Sequence, residues 1–166
     1  MNRYNRLMTR INEGECILID GATGTEVERR GVPQLKNAWN GGGALSHPDI
    51  VRKIHQDYIN RGAEVIISNT FATTKHALAD AGQDANFEAL NERGVKLAIE
   101  ARENLHQDDV LVAGGVSYWT WTEQKPTLNE LNASISQQVA IMAAVGADLL
   151  MLEMMIDIEK MMTTLK

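Results

Sequence analysis

Four short apolar runs, rich in Ile, Val and Leu, are the feature that most restricts how this chain can fold. They cover residues 16–20, 64–68, 110–114 and 148–152. Runs of this length and composition are typical of strands buried in a parallel sheet. Each run is followed by a loop and an amphipathic stretch, so the order predicts repeated right-handed βα units. Four such units make half of a TIM-type (βα)8 barrel or a small doubly wound sheet.

The amphipathic stretches between the runs carry helix signals. Ser46 as a cap and Pro48 in the first turn predict a helix over 46–61 that stops at Gly62. Apolar spacing predicts two more helices over 86–104 and 129–145, the last ending at Gly146.

Composition narrows the class of protein. The 166 residues, 44% of them hydrophobic, suit one globular unit. The net charge of −6 would repel a phosphate backbone, so we expect no nucleic-acid partner. No apolar run is long enough to span a bilayer and the first residues lack a secretory pattern, so we expect no membrane association and a cytoplasmic location.

The metal-ligating residue types are few and scattered. Cys16 is the single cysteine, so it has no internal disulfide partner, and its apolar surroundings predict a buried position. The histidines follow no metal-ligand spacing, and we expect each to lie at the surface: His47, His55, His76 and His106. The sequence therefore predicts no metal site built from this chain alone.

The loop after the first run contains Asp20, Gly21, Thr23 and Gly24. The glycines let the backbone turn tightly beside a ligand, and Asp20 ends a strand where barrel enzymes keep their active sites. A nucleotide-binding turn and a plain strand-to-helix turn are the alternatives, although Val27 stands where the third glycine of a nucleotide motif would be.

Polar residues also end the second and fourth runs. Asn69 and Thr70, followed by Phe71, are placed to hydrogen-bond a small substrate, although Asn and Thr also cap helices. Glu153 closes an apolar run, so it needs either a cation or an open cavity. An ammonium group would satisfy Glu153 together with Asp20, which indicates an amino-acid site.

Two further segments are candidates for lining a pocket. Trp39 and Asn40 precede the glycines at 41–43, in a stretch able to lie over a pocket; alternatively, Trp39 serves only as a surface anchor for that loop. Ser117 follows the third run and leads to aromatic residues that either line the pocket or cap the barrel: Tyr118, Trp119 and Trp121.

The last residues, 156–166, form a helical pattern that stops without a glycine cap or a following strand. A half barrel leaves its first and last strands as open edges. We therefore expect residues 1–166 to be a partial barrel domain, truncated in or after its fourth βα unit, or a domain that needs a partner.

Together, the segments ILIDGATGTEVERRG, AWNGGGALSHPDIVRKIHQDYINRGAEVIISNTF, VAGGVS and GADLLMLEMM resemble the homocysteine S-methyltransferase family. The family includes betaine-dependent enzymes and the homocysteine module of cobalamin-dependent methionine synthase. The resemblance implies a (βα)8 barrel of about twice this length. It also implies methyl transfer to the homocysteine sulfur, giving methionine, with a zinc ion that lowers the thiol pKa. The cysteines that hold this zinc have no counterpart here.

The resemblance assigns roles to individual residues. It implies that Asp20 and Glu153 hold the homocysteine amino group, and that Asn69 and Thr70 lie near the substrate. Ala72 and Met154 stand where the betaine-using branch has aromatic residues, which argues against betaine as the methyl donor.

No catalytic residue is implied within these 166 residues, and the chain alone is expected to be inactive. The alternatives are a non-catalytic amino-acid-binding module and a half barrel that acts only when assembled, with a second copy or with a missing C-terminal half.

Overall fold

The computed structural model describes residues 2–118, 122, 123 and 125–165. Trp119 and Trp121, two of the predicted pocket aromatics, lie outside these residues. The helices in chain order are α1 (Arg3–Asn12), α2 (Thr23–Arg29), α3 (Gly43–Ser46), α4 (Pro48–Ile59), α5 (Lys75–Asp80), a 3-10 turn (Asp84–Asn86), α6 (Phe87–Asn104), α7 (Leu128–Val145) and α8 (Ile158–Thr164). The strands are β1 (Val65–Ile67), β2 (Leu111–Val116) and β3 (Leu149–Leu152). No helix in this part of the chain is long and apolar enough to cross a membrane.

The strands form one parallel sheet in the order β1, β2, β3, which confirms the predicted α/β class and the sequential βα order. The first predicted strand, at 16–20, is wrong as a full strand. It makes a single parallel bridge between Ile19 and Val65. Leu18 and Ile19 are each 54% exposed. A segment that pairs on one side only, with half its apolar surface in water, gains too little to extend the ladder.

The long helices lie close to where their periodicity predicts. α6 and α7 begin within one residue of the predicted positions and end where predicted, and Gly146 ends α7 in the left-handed conformation with φ 106°. The predicted cap of α4 is wrong: His47 precedes that helix, and Ser46 instead ends α3. The Ser46 hydroxyl donates to the Gly42 carbonyl at 3.0 Å, so it serves the preceding turn.

The core lies between the sheet and the helices that cover it. β2 is buried along its whole length because it has a strand on each side and helices packed against it. Ile66 and Val112 of the sheet belong to the same apolar cluster as Val95, Ile135 and Met142 of α6 and α7. The central strand thereby holds the ends of β1 and β3 in a fixed relation.

Three burial predictions are wrong. Cys16 is exposed, because it precedes the single bridge that ties its segment to the sheet. His55 is fully buried and His76 is 6% exposed, because each lies on the inward side of its helix. Burial lowers the pKa of His55 to about 4, so this imidazole is neutral at physiological pH.

Candidate functional site

A cavity of about 330 Å³ opens at the carboxyl end of the sheet. Its wall combines residues that follow the 16–20 segment, β1 and β3 with part of the loop before α3. The lining residues are Ile19, Asp20, Gly21, Ala22, Thr23, Gly24, Trp39, Asn40, Ile67, Ser68, Asn69, Phe71, Glu153 and Met154. The carboxyl ends of parallel strands are where α/β proteins bind ligands, so this is the candidate site.

Two carboxyl groups dominate the electrostatics of the cavity. Asp20 is 6% exposed; its Oδ2 accepts a hydrogen bond from the Ile67 N–H at 2.9 Å. Within the described chain, Oδ1 of Asp20 and Oε2 of Glu153 are buried without a hydrogen-bond partner. Burial raises the pKa of Asp20 to about 7, and the nearby Glu153 charge adds to the rise. Burial likewise raises the pKa of Glu153 to about 7.

A glycine in the central strand makes room for one of these carboxyl groups. A Cβ atom at Gly115 would lie 2.6 Å from Oε2 of Glu153 and 3.0 Å from Cγ2 of Ile67. Any larger residue would push the Glu153 carboxyl group from its place. The adjacent glycines of β2, Gly114 and Gly115, are the sequence signal for this close approach.

The loop before α3 forms the opposite wall. Trp39 lies edge to face against Phe71, with ring centroids 6.3 Å apart, and has a φ of 42°, rare for a residue with a side chain. A Cβ at Gly24 would lie 1.8 Å from Nδ2 of Asn40 and 2.7 Å from the Trp39 ring. α2 therefore needs a glycine where this loop packs against it.

Asn40 was predicted only to accompany Trp39 in a stretch over the pocket, yet it is a residue of the site itself. It lines the cavity and is 4% exposed, yet its Oδ1 has no hydrogen-bond partner within the described chain. Its backbone carbonyl accepts a hydrogen bond from Nδ2 of Asn69 at 3.2 Å. The signal was an amide directly after an aromatic residue and before three glycines, a pattern with no periodicity to mark it.

A second polar group lies behind the cavity. Thr70 is fully buried, and its Oγ1 donates to the Gly115 carbonyl at 2.9 Å. Gln138 of α7 donates through Nε2 to the Thr70 carbonyl at 3.1 Å, to Thr73 at 3.2 Å and to Oδ1 of Asn91 at 2.9 Å. Asn91 in turn donates to the Thr73 carbonyl at 3.0 Å. These bonds fix the turn that carries Asn69 and Phe71 into the cavity wall.

The structure brings most of the predicted site residues together. Those that line the cavity are Asp20, Gly21, Thr23, Trp39, Asn69, Phe71 and Glu153. Thr70 and Ser117 do not line it: Thr70 belongs to the network behind it, and Ser117 is 1% exposed beyond β2. Met154 lines the cavity, whereas Ala72 is fully buried outside it.

The described residues do not fit a zinc site. Among residues 2–118, 122, 123 and 125–165, no three His, Cys, Asp or Glu side chains are grouped so that they could hold a metal ion. Cys16 precedes the bridge at Ile19, so it lies toward the amino end of the sheet, away from the cavity. Among the residues that the structure describes, no Lys, Arg, His or Cys lines the cavity either, so its chemistry rests on carboxyl, amide and hydroxyl groups.

Comparisons with known proteins agree on one family. The sequence profile described as Homocysteine S-methyltransferase matches residues 17–166. The chain is 33% identical to the homocysteine S-methyltransferase of Escherichia coli K12 over 122 residues, 70% of this chain and 39% of that protein. It is 28% identical to betaine–homocysteine S-methyltransferase 1 of Danio rerio over 156 residues, 93% of this chain and 38% of that protein.

A solved structure gives the same result. The metallated form of the homocysteine methyltransferase MmuM from Escherichia coli superposes with a TM-score of 0.81 at 27% identity. The superposition covers 98% of this chain and 60% of that chain. The chain thus spans about two fifths of the curated relatives, whose matched shares are 39% and 38%, and a larger part of the solved structure.

Proposed function

This chain belongs to the homocysteine S-methyltransferase family, and we propose that its cavity binds the ammonium group of L-homocysteine between Asp20 and Glu153. The observation that carries the proposal is the pair of carboxyl groups in one cavity, each with a buried oxygen that lacks a hydrogen-bond donor among the described residues. An ammonium group supplies both the positive charge and the N–H donors that these oxygens lack. For the whole protein, we propose methyl transfer to the homocysteine sulfur, giving methionine.

The chain's own residues bind and orient the substrate in this proposal. The ammonium group lies between the two carboxylates, and the aromatic rings of Trp39 and Phe71 exclude water from the aliphatic part of the ligand. The carboxylates do not activate the sulfur, because a nearby negative charge raises a thiol pKa. Substrate binding and sulfur activation therefore belong to different groups of residues.

The metal and the methyl donor are separate matters. The metallated structural relative supports a metal in this family, and the resemblance implies zinc. The described residues do not fit such a site, so no step here passes through zinc. Met154, rather than an aromatic ring, lines the cavity where the betaine-using branch places its cage, which supports a donor other than betaine.

We also propose that the sheet is the N-terminal half of a TIM-type barrel, with residues 1–166 as a single partial domain. The sequential parallel order and the TM-score of 0.81 with a longer methyltransferase support this. A second copy or further barrel strands would then cover the exposed edge near Leu18 and Ile19. The cytoplasmic location stays a prediction.

Calorimetric titration of the purified 166-residue chain at pH 8 tests the proposal. L-homocysteine should bind measurably, and 4-mercaptobutyrate, the same molecule without its amino group, should bind far more weakly. Asp20→Asn and Glu153→Gln should each weaken homocysteine binding roughly 10- to 100-fold, the range expected for a hydrogen bond to a charged group. Equal affinity for the two ligands, or variants that bind as the wild type does, would refute the ammonium site.

For the same chain loaded with zinc, we expect no methionine formation at rates of about 1 per second or faster with any methyl donor tried. The reason is that no cationic or thiol side chain of the described part of the chain lines the cavity. Turnover at an enzymatic rate would show that residues outside the cavity wall activate the sulfur.

A further inference from the structure

We propose that Asn40 is a specificity-determining residue, whose side-chain oxygen accepts the third N–H of a primary ammonium group held by Asp20 and Glu153. This rests on the proposed function, because it takes the ammonium group as the ligand of the two carboxylates. It goes beyond that function by adding a contact, and by making the cavity selective for primary amines.

Three side-chain oxygens around the cavity lack a hydrogen-bond partner among the described residues: Oδ1 of Asp20, Oδ1 of Asn40 and Oε2 of Glu153. All three residues line the cavity. Buried polar atoms are nearly always paired, so three unpaired atoms around one space require an explanation. A ligand that donates to all three provides one.

The backbone of Asn40 is held by two hydrogen bonds, and its side-chain amide packs against Gly24. Its backbone carbonyl accepts hydrogen bonds from Nδ2 of Asn69 at 3.2 Å and from the Gly43 N–H at 3.0 Å. Gly24 lies so close to Nδ2 that even a Cβ atom would overlap it. These restraints keep the amide in the cavity wall before any ligand arrives, which lowers the entropy cost of binding.

The chemistry of the three oxygens selects the ligand. Two belong to carboxyl groups and one to an amide, so when the carboxyl groups are ionised all three only accept hydrogen bonds. A primary ammonium group has three N–H donors and one positive charge, and matches this set. A quaternary ammonium group has no N–H, and an acylated amine is neutral with one. Both should therefore be rejected, because the buried oxygens would stay unpaired.

The test compares Asn40→Leu, Asn40→Asp and a control, Asn104→Leu, at the exposed end of α6. Dissociation constants for L-homocysteine and 4-mercaptobutyrate are measured by calorimetry at pH 8, and stability by urea unfolding. Asn40→Leu should bind homocysteine roughly 10- to 100-fold more weakly and bind 4-mercaptobutyrate unchanged. Asn40→Asp, which keeps an acceptor, should bind homocysteine at least as tightly as the wild type. Asn104→Leu should match the wild type in affinity for both ligands.

Stability separates ligand binding from a structural role. Asn40→Leu removes an unpaired buried oxygen, so its unfolding midpoint should equal or exceed that of the wild type. The proposal is overturned if Asn40→Leu keeps full affinity, or if it unfolds more easily and weakens both ligands alike. It is also overturned if Asn40→Asp binds as poorly as Asn40→Leu, since the amide would then be a donor. If the wild type itself does not prefer homocysteine to 4-mercaptobutyrate, the proposed function fails instead.

Discussion

The turn that follows β1 separates two polar regions with opposite hydrogen-bonding states. Behind it, Gln138 and Asn91 use their side-chain amide nitrogens as donors, and only Oε1 of Gln138 is left over in that group. In front of it, the cavity contains unpaired acceptor oxygens from Asp20, Asn40 and Glu153. The hydrogen-bonded group fixes the shape of the turn, whereas the oxygens of the other group are available to accept hydrogen bonds from a ligand. Mutations should therefore lower stability in the first region and lower affinity, but not stability, in the second.

The largest effect is expected at Asn91. Asn91→Ala removes donors to the carbonyls of Thr73 and Phe87 and the acceptor for Gln138, all of them buried. Losing partners for several buried groups should lower the free energy of unfolding by about 3 kcal/mol, measured by urea denaturation. Asn104→Ala, at the exposed end of the same helix, should change it by less than about 0.5 kcal/mol. A loss at Asn91 no larger than at Asn104 would contradict the structural role of the network.

In the cavity, by contrast, we expect removal of an ionisable side chain to raise the free energy of unfolding. The pKa of Asp20 is about 7 in the folded chain and 3.8 in the unfolded chain, so the folded side chain keeps its proton to a higher pH. Between these values the folded state binds more protons, so the stability of the wild type falls as the pH rises from about 4 to 7. Asp20→Asn cannot ionise and can still accept from the Ile67 N–H. It should therefore be about 2 kcal/mol more stable than the wild type at pH 8, with little difference at pH 4.

Urea unfolding of both proteins across this pH range measures the effect. Asp84→Asn, in the exposed 3-10 turn, is the control and should follow the wild-type curve. A variant that is less stable than the wild type at pH 8 would place Asp20 with the structural residues.

The sequence predicted the fold best where periodicity and burial coincide. β2 and α6 combine strong patterns with deep burial, and both were found within about two residues of the prediction. α1 was missed although its apolar residues, Tyr4, Leu7, Met8 and Ile11, recur at helical spacing; only Leu7 is buried, so the helix adds little to the core. The 16–20 segment was overestimated, because the sequence does not show that it pairs on one side only.

The sequence predicted which residue types form the site, but not the side to which each side chain points. Asp20 and Glu153 follow strand positions and end in the cavity, as their polarity indicated. Thr70 adjoins Asn69 in the same turn, yet its side chain points into the buried network, since a turn sends adjacent side chains to different sides. Asn40 carried only a weak signal, its place between an aromatic residue and three glycines, because its role depends on contacts with distant Gly24 and Asn69.

Two glycines on the cavity wall, Gly21 before α2 and Gly24 within it, differ in the space around them. Gly24→Ala would place a Cβ atom 1.8 Å from Nδ2 of Asn40 and 2.7 Å from the Trp39 ring, so the loop before α3 must move. We expect a loss of about 1.5 kcal/mol in the free energy of unfolding, below typical overpacking because both contacts are with side chains. Gly21→Ala meets no atom within 4 Å and should leave stability unchanged. Urea unfolding of the two variants side by side decides this, and equal stabilities would mean that the loop accommodates the extra carbon freely.

The smallest expected effect is the pH dependence of ligand binding in the wild type. Among the described residues, Asp20 and Glu153 are the only titratable side chains that line the cavity, and burial raises the pKa of each to about 7. An ammonium ligand needs ionised carboxylates, and a group with this pKa is roughly one tenth ionised at pH 6 and nine tenths ionised at pH 8. If one ionisation limits binding, the affinity for L-homocysteine should rise roughly ninefold over this interval, with proton release. Calorimetry in two buffers of different ionisation enthalpy counts the protons, and the Asn104→Leu chain should release the same number. Constant affinity without proton release would mean that both carboxyl groups are already ionised at pH 6 before the ligand binds. Solvation of these groups, rather than their burial, would then determine their pKa values.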